Sequence, residues 1–250
     1  LKEVLVDLDG AFRQAIGDQQ PDITEWWSYL DGLRDEFPLG YAPTTDGLLS
    51  PQQVISRIGE LSGPEAIYAA GVGQHQMWAA QFFKFEEPNR WMTSGGLGTM
   101  GYGLPAAVGV QVAHPNSLVI DIAGEASVLM TMQEMSTAAQ YDLPIKIFIL
   151  NNEYMGMVRQ WQELLHGGRY SHSYTAALPD FVKLAEAYQG VGIRAETPSE
   201  LDDAIREMIA TPKPVIFDCR VDKHANCFPM IPSGEAHNHM LMGDDLTSQD

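Results

Sequence analysis

The chain has 250 residues, 45% of them apolar and 19% charged, with a formal net charge of −18. That length fits one large domain plus a shorter appendage, with ample apolar material for a core. The acidic balance excludes nucleic-acid backbone and anionic membrane surfaces as partners and reads as a solvated surface.

No run approaches the ~20 continuous apolar residues of a membrane helix. No secretory pattern is visible at the start. Only two cysteines occur, Cys219 and Cys227, so a reducing, cytoplasmic setting fits better than a disulfide framework. His224 lies between them and His237 and His239 follow, but the spacing matches no standard zinc pattern. The chain opens at Leu1 inside a helical pattern, as expected of a piece of a longer polypeptide. It contains no internal repeat and no low-complexity segment.

In chain order, Val4, Leu5, Leu8, Phe12 and Ile16 fall at helical spacing, and a second helical run holds Ile23, Trp26, Trp27, Leu30 and Leu33. Neither carries chemistry, and residues 1–48 read as a linker and packing arm. Tyr41–Gly47 is loop-like. Ser50 and Pro51 then form a clean helix start. An apolar run ends at Ala70, broken by Gly71–Gly73, and a helical stretch follows through Met77 and Trp78. Gly95–Gly103 is a glycine-rich loop leading into the helix Leu104–Ala113. Leu118–Ala123 and Ile145–Leu150 read as strands buried on both faces. A helix follows each, the first carrying Met132, Met135, Ser136 and Ala139, the second reaching Trp161. Phe181–Tyr188 is helical and Val191–Arg194 strand-like. Thr197 and Glu200 form a capping box, and Val215–Asp218 closes the series. Strands alternating with helices predict a three-layer α/β/α fold with a mainly parallel sheet. The domain is expected over residues 49–232, with a tail over 233–250.

In such sheets ligands bind beyond the carboxyl ends of the strands. Gly71–His75, Gly95–Met100, Gly124–Ser127 and Asn151–Asn152 follow strands or open helices. Gly124–Ser127 offers close backbone approach, a hydroxyl and N–H groups at a helix start, which suits phosphate. Glu125 adds a carboxylate and Asn152 an amide oxygen. With a backbone carbonyl and two phosphate oxygens they would form most of an octahedral magnesium site on a diphosphate. Alone, each segment reads as a plain turn; the pairing at two adjacent strand ends carries the signal.

The pairing resembles the thiamine-diphosphate signature, Gly-Asp-Gly or Gly-Asp-Ala followed further along by Asn-Asn. Gly73–Trp78, Thr93–Ala107 and Gly156–Trp161 resemble the catalytic subunit of acetohydroxyacid (acetolactate) synthase, over about Ser50 to Pro232. The helices before that span are similar to the segment joining that family's middle and C-terminal domains. The resemblance implies that Val72, Gly73, Gln74 and His75 touch the diphosphate, with Gln74 and His75 as polar donors. It implies that the Gly98 carbonyl meets the aminopyrimidine and that Met100 wedges the cofactor into a bent shape. Gly124, Ala126 and Ser127 would cradle the diphosphate, and Glu125, Asn152 and the Tyr154 carbonyl would bind magnesium. Gly156 and Met157 would line the site, and Trp161 would shape the pocket for the second 2-ketoacid.

The resemblance further implies pyruvate and 2-ketobutyrate as substrates, a homodimer or tetramer, and in some members a small regulatory subunit. It implies FAD bound mostly by a middle domain outside this chain. No catalytic residue is assigned here, because the family's activating glutamate lies in an N-terminal domain of a neighbouring subunit; the chain alone is therefore expected to be inactive. One residue departs from the pattern: Glu125 stands where the family has aspartate. Either the loop relaxes to compensate, or metal and cofactor bind more weakly; the intact flanking motifs favour the first. Other readings are a related thiamine-diphosphate decarboxylase, oxidase or carboligase, and a non-catalytic cofactor-binding domain. A dinucleotide-binding fold is disfavoured, because no Gly-x-Gly-x-x-Gly is read between a first strand and helix with an acidic residue about twenty positions on.

Overall fold

The computed structural model describes residues 1–17, 19–41, 44, 47–175 and 177–243. Most of the loop at 41–47 and the last part of the 233–250 tail lie outside the described residues. Two compact units are present, Leu1–Gly40 and a second beginning at Tyr41.

The first unit contains α1 (Lys2–Ile16) and α2 (Thr24–Glu36), and neither helix buries a residue. Its apolar side chains, Val4, Leu8, Phe12, Trp26 and Trp27 among them, are exposed. The local contacts are short-range: Arg13 pairs with Asp9, Arg34 with Asp31, and the Arg34 guanidinium lies over the Trp27 ring.

The second unit is the α/β domain. Its strands are β1 (Ile67–Ala70), β2 (Trp91–Thr93), β3 (Val119–Ala123), β4 (Lys146–Asn151), β5 (Val191–Ala195) and β6 (Val215–Arg220). They form one sheet in the order β2-β1-β3-β4-β6-β5, and every pairing is parallel. All carboxyl ends therefore emerge on one edge.

Successive side chains of a strand point to opposite faces, and here both faces are apolar. Ile120, Ile122, Phe148, Leu150 and Phe217 point to one layer. That layer holds α3 (Pro51–Ser62), α4 (Gln74–Phe82) and α10 (Pro198–Ala210) through Val54, Ile58, Trp78, Leu201 and Ile205. Ala123, Ile147, Ile149 and Ile216 point to the other. There they meet α5 (Gly103–Ala113), α7 (Met135–Gln140) and α9 (Phe181–Ala187) through Leu104, Met135, Ala138 and Phe181. The predicted three-layer arrangement is the one found.

Local signals explain the helix starts. Ser50 accepts from the Gln53 N–H with Pro51 at the first helical position. Thr197 and Glu200 make a reciprocal capping box. Two features depart from the pattern reading. β2 is a half-buried three-residue edge strand with no run long enough to signal it. The stretch after β3 is broken into α6 (Glu125–Leu129), a 3₁₀ turn at Met132–Glu134 and α7, where one helix is expected from the spacing.

Candidate functional site

Loops at the carboxyl ends of β1, β3 and β4 enclose a cavity of about 320 Å³. Val72, Gly73, Gln74 and His75 reach it from the turn between β1 and α4. Gly73 caps α4 with φ +152°, a conformation open only to glycine. The first amides of α4 have no partner within the helix, and its dipole places partial positive charge there. His75 is buried, its Nε2 has no hydrogen-bond partner among the described residues, and burial pushes its pKa down to about 4, so the ring is neutral. A Cβ on Gly124 would lie 2.8 Å from His75 Nδ1. The ring thus packs directly on the loop after β3.

Gly98 and Met100 enter the cavity from the glycine-rich loop before α5. Hydrogen bonds to side chains help to hold that loop. The Thr99 N–H donates to Ser94 Oγ at 3.0 Å, the Gly101 N–H donates to Ser127 Oγ at 3.0 Å, and Thr131 Oγ1 donates to the Gly101 carbonyl at 3.0 Å. Ser127 is therefore shared between the glycine-rich loop and the turn after β3.

Gly124, Glu125, Ala126 and Ser127 line the cavity beyond β3. Glu125 is 1% exposed, and its Oε1 has no partner among the described residues. Burial, reinforced by the negative charge of Asp218 and Glu153, pushes its pKa up to about 8. An unpaired buried carboxylate oxygen is costly without a cation or donor beside it. An oxygen in that state has the chemistry of a ligand to a hard divalent cation.

Asn152, Tyr154, Gly156, Met157 and Trp161 complete the wall, from the end of β4 into α8 (Gly156–Leu165). Asn152 Oδ1 accepts the Tyr154 N–H at 3.1 Å, and Asn152 Nδ2 donates to Gln74 Oε1 at 3.1 Å. Gln74 Nε2 donates to Gln160 Oε1 at 2.9 Å and to the Ala225 carbonyl at 3.0 Å. Beside this turn, Asn151 Nδ2 donates to the fully buried Asp218 at 2.7 Å, and Asp218 also pairs with Arg194 and Arg220. Glu153, at φ +59°, pairs with Arg220 and Lys223. Trp161 is 51% exposed at the cavity.

Every site residue expected from the sequence thus borders a single cavity. The wall also includes Gln76, Leu150, Met155 and Val158. Gln160 and Asp218, which organise the turn after β4, carry no signal readable from spacing. Cys219 and Cys227 are free and buried. Among the described residues no three His, Cys, Asp or Glu side chains cluster as a metal site, and no helix is long and apolar enough to cross a membrane.

A family profile described as thiamine pyrophosphate enzyme, C-terminal TPP binding domain, matches residues 71–219. The chain belongs to that family. The matched span opens in the turn after β1 and closes in β6, so it takes in the whole cavity edge. This thiamine pyrophosphate-binding domain is 46% identical over 96% of its length to "Acetolactate synthase" of Mycobacterium leprae, covering 39% of that protein. It is 46% identical to the acetolactate synthase large subunit of Cyanidium caldarium and 41% identical to that of Haemophilus influenzae, covering 41% and 42% of them. It therefore spans about two fifths of the length of these curated relatives. Among solved structures it resembles the Rhodococcus jostii RHA1 thiamine diphosphate-dependent 4-hydroxybenzoylformate decarboxylase. The TM-score is 0.67 and the identity 27%, over 73% of this chain and 34% of that one.

Proposed function

We propose that this chain is the cofactor-binding part of an acetolactate synthase, which decarboxylates pyruvate and joins it to a second 2-ketoacid in branched-chain amino-acid biosynthesis. One observation carries the reading: the residues of the resembled motifs, scattered between 72 and 161, converge on a single cavity at the strand ends.

Thiamine diphosphate, when bound, would supply the nucleophilic carbon that adds to the 2-ketoacid and a cationic ring that takes up the electrons released by decarboxylation, and the protein would supply binding and orientation. The turn at Gly73, the N-terminal amides of α4 and the Gly124–Ser127 turn receive the diphosphate. Gly98 would present its carbonyl to the aminopyrimidine, and Met100 would support the cofactor. Glu125, Asn152 and the Tyr154 carbonyl hold magnesium, an oxygen-only set suited to that hard cation. Burial of Glu125 with an unpaired oxygen supports this assignment. Gly156 and Met157 exclude water along the wall, and Trp161 borders the space for the acceptor, pyruvate or 2-ketobutyrate.

Among the described residues lining the cavity Glu125 is the one carboxylate, and it is assigned to the metal. As the family resemblance implies, the carboxylate that activates the aminopyrimidine comes from the N-terminal domain of a neighbouring subunit, and most of the FAD site from a middle domain outside this chain. The chain alone forms no acetolactate, and the working enzyme is a cytoplasmic homodimer or tetramer, with a small regulatory subunit as a further partner.

Calorimetric titration with magnesium and thiamine diphosphate tests the assignment. The native chain and Glu125→Asp both bind, the aspartate form at least as tightly. Absence of binding to either form overturns the cofactor reading, and acetolactate formation from pyruvate by this chain alone overturns its predicted inactivity.

A further inference from the structure

Gln160 is fully buried in α8 and does not border the cavity. A buried amide with all its partners satisfied is informative, because each partner constrains which end is oxygen and which is nitrogen. Two of the partners of Gln160 are backbone groups of Cys227, whose polarity cannot reverse. The Cys227 N–H donates to Gln160 Oε1 at 2.8 Å, and Gln160 Nε2 donates to the Cys227 carbonyl at 2.9 Å. The backbone therefore dictates the orientation of the Gln160 amide.

That orientation propagates. Gln160 Oε1 faces Gln74 Nε2, which also donates to the Ala225 carbonyl. Gln74 must then turn Oε1 toward Asn152, whose Nδ2 donates to it. Asn152 in turn must keep Oδ1 on the opposite side, where it also accepts the Tyr154 N–H. Gly156 makes the arrangement possible, since a Cβ there would lie 1.9 Å from Gln74 Oε1. Arg159, also buried, fastens the same backbone segment by donating to the carbonyls of His224 and Ala225 at 3.2 and 2.9 Å.

We infer that Gln160 is a positioning residue for the metal: a polarity relay runs from the Cys227 backbone through Gln160 and Gln74 and fixes Asn152 with its oxygen available as a ligand. The inference rests on Asn152 being a magnesium ligand, as proposed above. Partners of this kind, acting one step behind a ligand, typically govern 10–100-fold of metal affinity. Both Nε2 hydrogens of Gln74 are taken up by the relay. Its contribution to the cofactor therefore passes through Asn152 and through its own backbone.

The test is magnesium affinity in the presence of thiamine diphosphate, followed by fluorescence of Trp78 and Trp161 in the cavity wall. It compares the native chain, Gln160→Leu and Gln160→Glu. Leucine keeps the volume and removes the polarity; glutamate keeps an oxygen acceptor for Gln74 and for the Cys227 N–H. A relay predicts roughly tenfold or greater loss in Gln160→Leu and a clear recovery in Gln160→Glu. A space-filling role predicts the reverse order, because leucine suits a buried site better than a carboxylate. Native-like affinity in Gln160→Leu, or leucine outperforming glutamate, overturns the inference. Failure of the native chain to bind magnesium with the cofactor overturns the site assignment instead. If neither variant folds, the side-chain amide resonances of Gln74 and Gln160 in the native chain decide: both shift on magnesium addition, and an unmoved Gln160 overturns the relay.

Discussion

Gly10 in α1 and Gly103 at the head of α5 are both helical glycines in opposite surroundings. A Cβ on Gly10 would meet nothing within 4 Å among the described residues, in a helix that buries no residue. A Cβ on Gly103 would lie 2.1 Å from Asp121 Oδ1, 2.5 Å from the Gly71 nitrogen and 2.8 Å from the Ala70 carbonyl carbon. In the first unit the residue answers only to its own helix. In the second it answers to two other chain segments at once, the end of β1 and the middle of β3. Side-chain identity is constrained from a distance in one unit and locally in the other.

The largest expected effect follows directly. Gly103→Ala forces α5 away from backbone that cannot yield, and overpacking of that kind costs about 3 kcal/mol or more. Denaturant unfolding of the second unit measures the loss, and cofactor affinity falls with it. A cost below about 1 kcal/mol would break the comparison, because α5 would then be free to move.

The same contrast marks where the sequence was legible. Periodicity located the strands and most helices of the second unit, since both faces of β3 and β4 are apolar and their flanking turns hold glycine. It missed β2, where three half-buried residues leave no pattern. It merged α6 and α7, because the apolar spacing runs on through the 3₁₀ turn between them. Gly71–His75, Gly95–Met100, Gly124–Ser127 and Asn151–Asn152 were legible from their places after strands or before helices, whereas Tyr154, Gly156, Met157 and Trp161 came from the family resemblance. Gln160 and Asp218 were not legible, since a polar residue on a buried face looks like an error of pattern until its partners are known. The apolar stripe of α1 and that of α3 read alike, yet α3 buries Val54, Ile55 and Ile58 while α1 buries none. Periodicity reports that a face could be buried, and not what covers it.

Asp121 sharpens the comparison at intermediate size. It is buried in β3 behind Gly103, neither carboxylate oxygen has a partner among the described residues, and burial pushes its pKa up to about 8. The unfolded carboxyl ionises near 3.9. A carboxyl raised on folding supports the folded state fully below its unfolded pKa and loses that support as the pH rises through the folded value. Native stability should therefore fall relative to Asp121→Asn by about 2 kcal/mol between pH 6 and pH 8. Glu125 is present in both proteins, so its own titration cancels. Parallel pH profiles would mean that water reaches Asp121 and that the packing under Gly103 is looser than the contacts indicate.

The smallest effect tests the other half of the contrast. Gly10→Ala adds a methyl group where nothing lies within 4 Å among the described residues. Alanine exceeds glycine in helix propensity by about 0.8–1 kcal/mol, mainly because glycine loses more backbone freedom on entering a helix. The substitution should raise the helicity of α1, read by circular dichroism on a peptide spanning residues 1–40, and leave cofactor affinity in the whole chain unchanged. A gain in helicity without a change in binding would place residue 10 under local control alone. A loss of cofactor affinity would show instead that α1 is covered in the working protein and that its exposed stripe, Val4 to Phe12, meets a surface on which a single added methyl is felt.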